Sequence, residues 1–340
     1  QQQFHILRSI EDVKRAAISG GAGTGKTVLA MEEARRWADS GAGTLFLCYN
    51  RGLAREIRQL IKDCPQITVM TFHELCSDMA NRAGLTHPED VPRDQLFEEV
   101  LPELLMQAFE HLPEKKYDAI IVDEGQDFLP LWWTAVESGL NRDAWGALRI
   151  FYDNNQRVYA NTTKLPEEVN LVPIRLTLNL RNTQRIHELV RHYYSGHEIE
   201  AIGPEGVEVR WIEVKDANEL GQCIFDCVAR LESREHVPLE DIGVLVGTEK
   251  AVEDIAPNNR LGKFRTARCD QDVNGRLVVD SIRRFKGLER PVIVIAATPD
   301  TVIDRELPYV ALSRARTHLV VAGTEKILNR LSSLTVAQTK

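Results

Sequence analysis

Residues 20–27 read G-G-A-G-T-G-K-T, and about a hundred residues later Asp123, Glu124, Gly125, Gln126 and Asp127 follow an apolar run. The first stretch fits G-x-x-x-x-G-K-[ST]. In that pattern Gly20, Gly21, Ala22, Gly23, Thr24 and Gly25 can turn backbone N–H groups toward phosphate oxygens, Lys26 can reach the β- and γ-phosphates, and the Thr27 hydroxyl can ligate Mg²⁺. A helix starting near Lys26 adds its positive dipole end to the same place. In the second stretch Asp123 can hold Mg²⁺ through its water shell, and Glu124 can accept a proton from an attacking water. A lone glycine-rich turn is often only a tight loop. Preceded by Ala16, Ala17 and Ile18 and joined to an acidic strand end, the pair instead implies hydrolysis of a nucleoside triphosphate, with ATP and Mg²⁺ as expected cofactors.

The elements that must position these groups show as alternating apolar runs and helical patterns. Strands are expected at 16–19, 44–48, 67–71, 120–122 and 148–151, with helices at 26–38, 53–61 and 129–140. Such alternation predicts βαβ units around a parallel sheet buried on both faces, with the phosphate loop at the carboxyl end of the first strand. A second series starts after Pro173: strands at 175–178, 207–214, 242–246, 277–279, 292–296 and 318–322, and helices at 183–194, 217–231 and 305–315. The expected fold is α/β, two tandem P-loop-type parallel-sheet domains at 1–172 and 173–340. A single phosphate loop between two sheets implies a nucleotide cleft where they meet.

Composition agrees with two domains of ordinary size: 340 residues, 43% hydrophobic. No run of 18 apolar residues and no charged-then-apolar leader is present, so a cytoplasmic location without a membrane span is expected. The chain opens on Gln1, Gln2 and Gln3 without Met, which suggests further sequence ahead of it. Of the six cysteines only Cys223 and Cys227 lie close, and no second Cys/His pair completes a metal set, so no structural metal is expected. The net charge of −8 argues against wholesale wrapping of nucleic acid but leaves room for a local basic groove.

The motif order resembles the superfamily 1 DNA helicases of the UvrD/Rep type from Gln3 to Val321. Gln3 looks like the family's upstream adenine-reading glutamine. Asn50, closing Leu47-Cys48-Tyr49-Asn50, and the Thr71-Phe72-His73 triplet occupy positions that the family uses on nucleic acid, and Tyr159 is a further stacking candidate. Asp123 to Asp127 is similar to motif II, with Gly125 where Ala or Phe is more usual. Residues 152–159 look like motif III, whose residue matching Gln156 senses the γ-phosphate. In the second half, residues 178–183 are similar to motif IV, 281–289 to motif V and 309–316 to motif VI. The resemblance implies that Arg181 and Arg314 act as arginine fingers, that Gly287 allows close backbone approach and that Glu289 bonds the ribose. The alternative for each arginine is a surface ion pair, and taken alone Arg181 reads equally well as one.

Three departures matter. Asn161 stands where an aromatic residue usually stacks on a base, and Leu180 where a tyrosine usually stacks on adenine. Residues 84–117, at the place of a duplex-contacting insertion, carry eight acids against three bases and would repel a phosphate backbone. The expected function is an ATP-dependent single-stranded DNA translocase or helicase. Two alternatives stay open: a DNA-stimulated ATPase module of a larger, nuclease-fused protein that unwinds weakly, and a P-loop ATPase with a client that is not nucleic acid. Strand polarity, DNA against RNA and oligomeric state are not legible.

Overall fold

The computed structural model describes residues 12–143, 145–153, 155, 170–194 and 197–333. The chain divides into two compact units, one of residues 1–20 and 25–176, the other of 21–24 and 177–340.

In the first unit, β1 (Arg15–Gly20) leads into α1 (Lys26–Asp39), followed by β2 (Thr44–Cys48), α2 (Arg51–Leu60), β3 (Ile67–Thr71) and α3 (Phe72–Arg82). A short turn at Arg93–Gln95 and a π-helical turn at Leu96–Val100 run into α4 (Leu101–His111), then β4 (Ala119–Val122), α5 (Pro130–Ser138), β5 (Ala147–Tyr152) and β6 (Val172–Leu176). The six strands form one sheet in the order β3-β2-β4-β5-β1-β6, every neighbouring pair parallel. β2 and β4 are buried at every position, which is why they read in the sequence as unbroken apolar runs rather than as alternation. One face of the sheet packs on α3, α4 and α5, with Phe72, Leu75, Met79, Leu105, Phe109, Phe128, Trp132 and Trp133 in a single core. Helix α4, within the acidic stretch 84–117, therefore belongs to this core. Leu101, Leu104, Leu105, Ala108 and Phe109 are buried on α4, while Glu98, Glu99, Glu103 and Glu110 point to solvent.

Residues 173–176, assigned from the sequence to the second domain, are instead the edge strand β6, paired with β1 from Ala16↔Val172 to Gly20↔Leu176. Pro173 is tolerated there because an edge strand leaves one side without ladder bonds.

The second unit contains β7 (Leu178–Asn179), α6 (Gln184–Val190), β8 (Glu200–Ala201), β9 (Arg210–Val214), α7 (Ala217–Arg234), β10 (Ile242–Val246), α8 (Glu249–Ile255), β11 (Arg260–Leu261) and β12 (Phe264–Ala267). It ends with β13 (Leu277–Ser281), β14 (Arg290–Ala296), α9 (Glu306–Leu312), β15 (Ala315–Thr324) and α10 (Glu325–Ser333). Its sheet runs β11-β12-β13-β10-β14-β15-β9, parallel except for the β11–β12 hairpin. Its core joins Ile224, Val228 and Leu231 of α7 to Val244, Val279, Val294 and Val320 of the sheet. No helix among the described residues is long and apolar enough to cross a membrane.

Candidate functional site

In the first unit β4, β5 and β1 are adjacent and parallel, so their carboxyl ends open at one edge of the sheet. That topology brings three separate stretches together: the loop after Gly20, the acids after Val122 and Asp153 after Tyr152. Gly25 caps α1 with φ 79° and Gly23 has φ 76°, left-handed values that favour glycine and account for two of the loop's glycines. Lys26 is buried, and its Nζ donates to the Gly20 carbonyl at 2.9 Å and faces Asp153 Oδ2 at 3.6 Å.

Asp123 is fully buried, and its Oδ1 accepts the Glu124 N–H at 3.0 Å, while Oδ2 meets no hydrogen-bond partner within the structure. Burial first, and the neighbouring Glu124 carboxylate second, push the Asp123 carboxyl up, whereas the Thr27 hydroxyl and the Lys26 charge pull it down. A buried carboxylate oxygen without a donor, beside a hydroxyl, suits a hard divalent cation, whose charge would reverse the upward push. Among the described residues no three His, Cys, Asp or Glu side chains gather around one point, so any such ion would draw most of its ligands from water and a bound nucleotide.

Glu124 adopts φ 56° and ψ 40°, a conformation that costs a non-glycine residue about 1–3 kcal/mol and clusters at functional sites. One of its carboxylate oxygens, Oε2, takes a hydrogen bond from Gln126 Nε2, and Gln126 Oε1 accepts the Asp153 N–H at 2.9 Å. Sequence reasoning did not select Gln126 or Asp153 as site residues. Both lay inside motif strings, and the polar Gln126 next to two acids was the available signal. Gly125 also has a reason here: a Cβ on it would stand 2.7 Å from Ile150 Cγ2 and 3.3 Å from Trp133. Gly125→Ala is therefore expected to destabilise the first unit by about 1–3 kcal/mol, measured by denaturant unfolding, because the β5 side chain must shift to admit the methyl group. An unchanged midpoint would refute this packing argument.

Four of the residues assigned to nucleic acid, Asn50, Thr71, Phe72 and His73, lie among the described residues, and each has a contact within the fold. Asn50 caps α2, accepting the N–H groups of Gly52 at 2.7 Å and Leu53 at 3.3 Å. Thr71 caps α3 in a reciprocal pair with Glu74 and is only 2% exposed. Phe72 is corrected from a possible base platform to core: it is 0% exposed and stacks on Trp132 with ring centroids 4.5 Å apart. His73 is wedged between Phe97 and Trp132, each 4.8 Å away, and burial lowers its pKa to about 4. Gln3, Gln156, Tyr159 and Asn161 lie outside the described residues.

In the second unit Arg181 Nη1 donates to Glu289 Oε1 at 2.8 Å, and the other carboxylate oxygen of Glu289 is buried without a partner. Gly287 has φ 80°, and Leu180 is 41% exposed. Arg314 is 3% exposed; it donates to the Val310 carbonyl at 3.0 Å, the Leu288 carbonyl at 3.4 Å and Ser313 Oγ at 2.9 Å. Residues 21–24, the crest of the phosphate loop, group with this unit: Ala22 N–H donates to Tyr309 Oη at 2.7 Å, and Leu180 N–H to the Gly23 carbonyl at 3.0 Å.

Comparison with known proteins gives two family matches: an AAA domain over residues 3–162 and a UvrD-like helicase C-terminal domain over residues 276–322. Among solved structures, arterivirus nonstructural protein 10, a helicase, is 15% identical with a TM-score of 0.48, covering 94% of this chain and 61% of that one. The PRRSV helicase is 13% identical with a TM-score of 0.49, covering 92% and 53%. The arterivirus protein in complex with DNA is 12% identical with a TM-score of 0.46, covering 94% and 63%. The chain thus spans 53 to 63% of the length of these structures. The first family match contains the phosphate loop and the Asp123–Glu124 pair, the second contains Gly287, Glu289 and Arg314, and the two matches together support a superfamily 1 helicase of the UvrD/Rep type.

Proposed function

We propose that this chain is an ATP-hydrolysing motor that acts on single-stranded nucleic acid, DNA in preference to RNA. The observation that carries the reading is the buried set Lys26, Asp123, Glu124, Gln126 and Asp153 at the ends of three adjacent strands. The glycine loop and Lys26 bind the phosphates, and Thr27 with the unpartnered Asp123 oxygen would hold Mg²⁺. Bound there, the ion would neutralise charge on the β- and γ-phosphate oxygens. Glu124 accepts the proton of the water that attacks the γ-phosphorus; the new P–O bond forms as the bond to the bridging oxygen breaks, and that oxygen leaves with ADP. Arg181 and Arg314 are proposed to add positive charge to the transferring phosphate, with Glu289 on the ribose.

A second reading, an ATPase module of a longer, nuclease-fused protein that unwinds little alone, is favoured by the outward acids Glu98, Glu99, Glu103 and Glu110. That face offers no attraction to a duplex backbone. The test is ATP turnover with and without single-stranded DNA across a salt series, followed by strand displacement on a tailed duplex. Stimulation that weakens steeply with salt, with little displacement, is the expected result. Strong displacement by this chain alone would remove the second reading, and indifference to every nucleic acid would replace both with a client of another kind.

A further inference from the structure

Gln126 has both ends of its amide committed inside the first unit. Nε2 donates to Glu124 Oε2, and Oε1 accepts the Asp153 backbone N–H at 2.9 Å. The three side chains are 4%, 5% and 0% exposed. Asp153 in turn accepts the Asn155 N–H at 2.9 Å and faces the Lys26 amine at 3.6 Å. A single buried chain of polar contacts therefore runs from the proton acceptor to the phosphate-binding lysine, with the amide of Gln126 as its middle member.

The chemistry at that position is demanding. One planar group must donate a hydrogen bond to a carboxylate and accept one from a backbone N–H, which an amide does and a carboxylate cannot. Glu124 needs the support because its left-handed backbone lies outside any regular element that would set its side-chain direction. Gln126 sits on the 3₁₀ turn Gly125–Asp127, closed by Asp127 N–H on the Glu124 carbonyl at 3.0 Å, so its backbone is anchored next to the group that it holds.

We infer that Gln126 is a positioning residue for hydrolysis: it aims the Glu124 carboxylate and ties it to the carboxyl end of β5 through Asp153. The inference rests on the proposed ATPase and acts through Glu124 alone. A base displaced from its hydrogen-bonded setting forfeits much of the contribution of general-base catalysis while leaving phosphate binding to the loop.

The experiment is a double-variant cycle read as basal ATP turnover without nucleic acid, in single-turnover mode with nucleotide affinity measured separately. Gln126→Leu, close in volume but without hydrogen-bonding atoms, is expected to lower turnover by about 10- to 100-fold with KM and nucleotide affinity changed less than about threefold. Gln126→Glu should fall similarly, because two carboxylates then face each other. In a Glu124→Gln background Gln126→Leu should cost nothing further, since the group it aims is gone. Turnover within threefold of the parent, or the same fractional loss with and without Glu124, would overturn the inference. If Gln126→Leu does not fold, the same cycle is run with Gln126→Asn, which keeps the amide but cannot span both partners. A chain that turns over ATP but ignores DNA sinks the motor reading and leaves this test intact; a parent with no turnover sinks both.

Discussion

Glu124→Gln is expected to leave nucleotide binding in place and to lower ATP turnover by about 10²–10⁴-fold, the range that a positioned general base supplies. The substitution is close to isosteric, and its amide oxygen can still accept from Gln126 Nε2, so the fold around it should hold. What disappears is the capacity to take the proton of the attacking water. Lys26→Ala should also abolish turnover, but for two reasons that separate in measurement. It removes the phosphate contact, lowering affinity, and it strips the fully buried Asp153 carboxylate of its cation at 3.6 Å, lowering stability. Equilibrium binding of a fluorescent ATP analogue, single-turnover hydrolysis and denaturant unfolding on both variants give the expected pattern. Glu124→Gln loses only turnover; Lys26→Ala loses all three. Near-normal turnover by Glu124→Gln would remove the base assignment.

The contrast between those variants reflects how differently the residues could be read. The phosphate loop and the Asp123–Glu124 pair are local strings whose spacing carries their chemistry, and strands at 44–48 and 242–246 matched β2 and β10 because buried parallel strands read as continuous apolar runs. The edge strand β6 gives no such signal. β6, exposed at Val172 and interrupted by Pro173, was grouped with the wrong sheet because its partner, β1, lies more than 150 residues earlier in the sequence. Helix α3 was hidden by a motif: Thr71, Phe72 and His73 resemble a nucleic-acid triplet, yet Thr71 caps the helix and Phe72 begins it inside the core. An aromatic residue after a strand carries no mark of which way it faces.

Gln126 shows the other limit. Its type was visible, but its role depends on the backbone N–H of Asp153, 27 residues away, reaching it through the adjacency of β4 and β5. Sequence spacing cannot report such a meeting, and parallel topology creates it. The same holds for Gly125, whose missing side chain is required by Ile150 on the neighbouring strand rather than by any turn.

Arg314→Ala is expected to lower ATP turnover by about 10³-fold or more, the scale on which an arginine at a transferring phosphate acts. The guanidinium is buried and satisfied within its own unit by the Val310 and Leu288 carbonyls and Ser313 Oγ. To serve the phosphate it must exchange some of those bonds for phosphate oxygens, and a guanidinium has enough donors to do so without abandoning all of them. Alanine also takes the side-chain donor from the Leu288 carbonyl, at about 1–3 kcal/mol for an unmet buried group, while the Val310 carbonyl keeps Ser313 Oγ at 3.0 Å, so a loss of turnover in that variant alone is ambiguous. Arg314→Lys resolves it: the charge stays and the fork geometry goes, so a folded Arg314→Lys protein with turnover still down by more than tenfold assigns the loss to bidentate phosphate contact. Arg181 should matter less and differently. It is partly exposed and tied to Glu289 at 2.8 Å, so Glu289→Gln is expected to free it and to weaken nucleotide affinity more than turnover. Turnover within threefold of the parent for both Arg314 variants, with the unfolding midpoint unchanged, would remove Arg314 from the catalytic assignment and return it to the structural role its hydrogen bonds already describe.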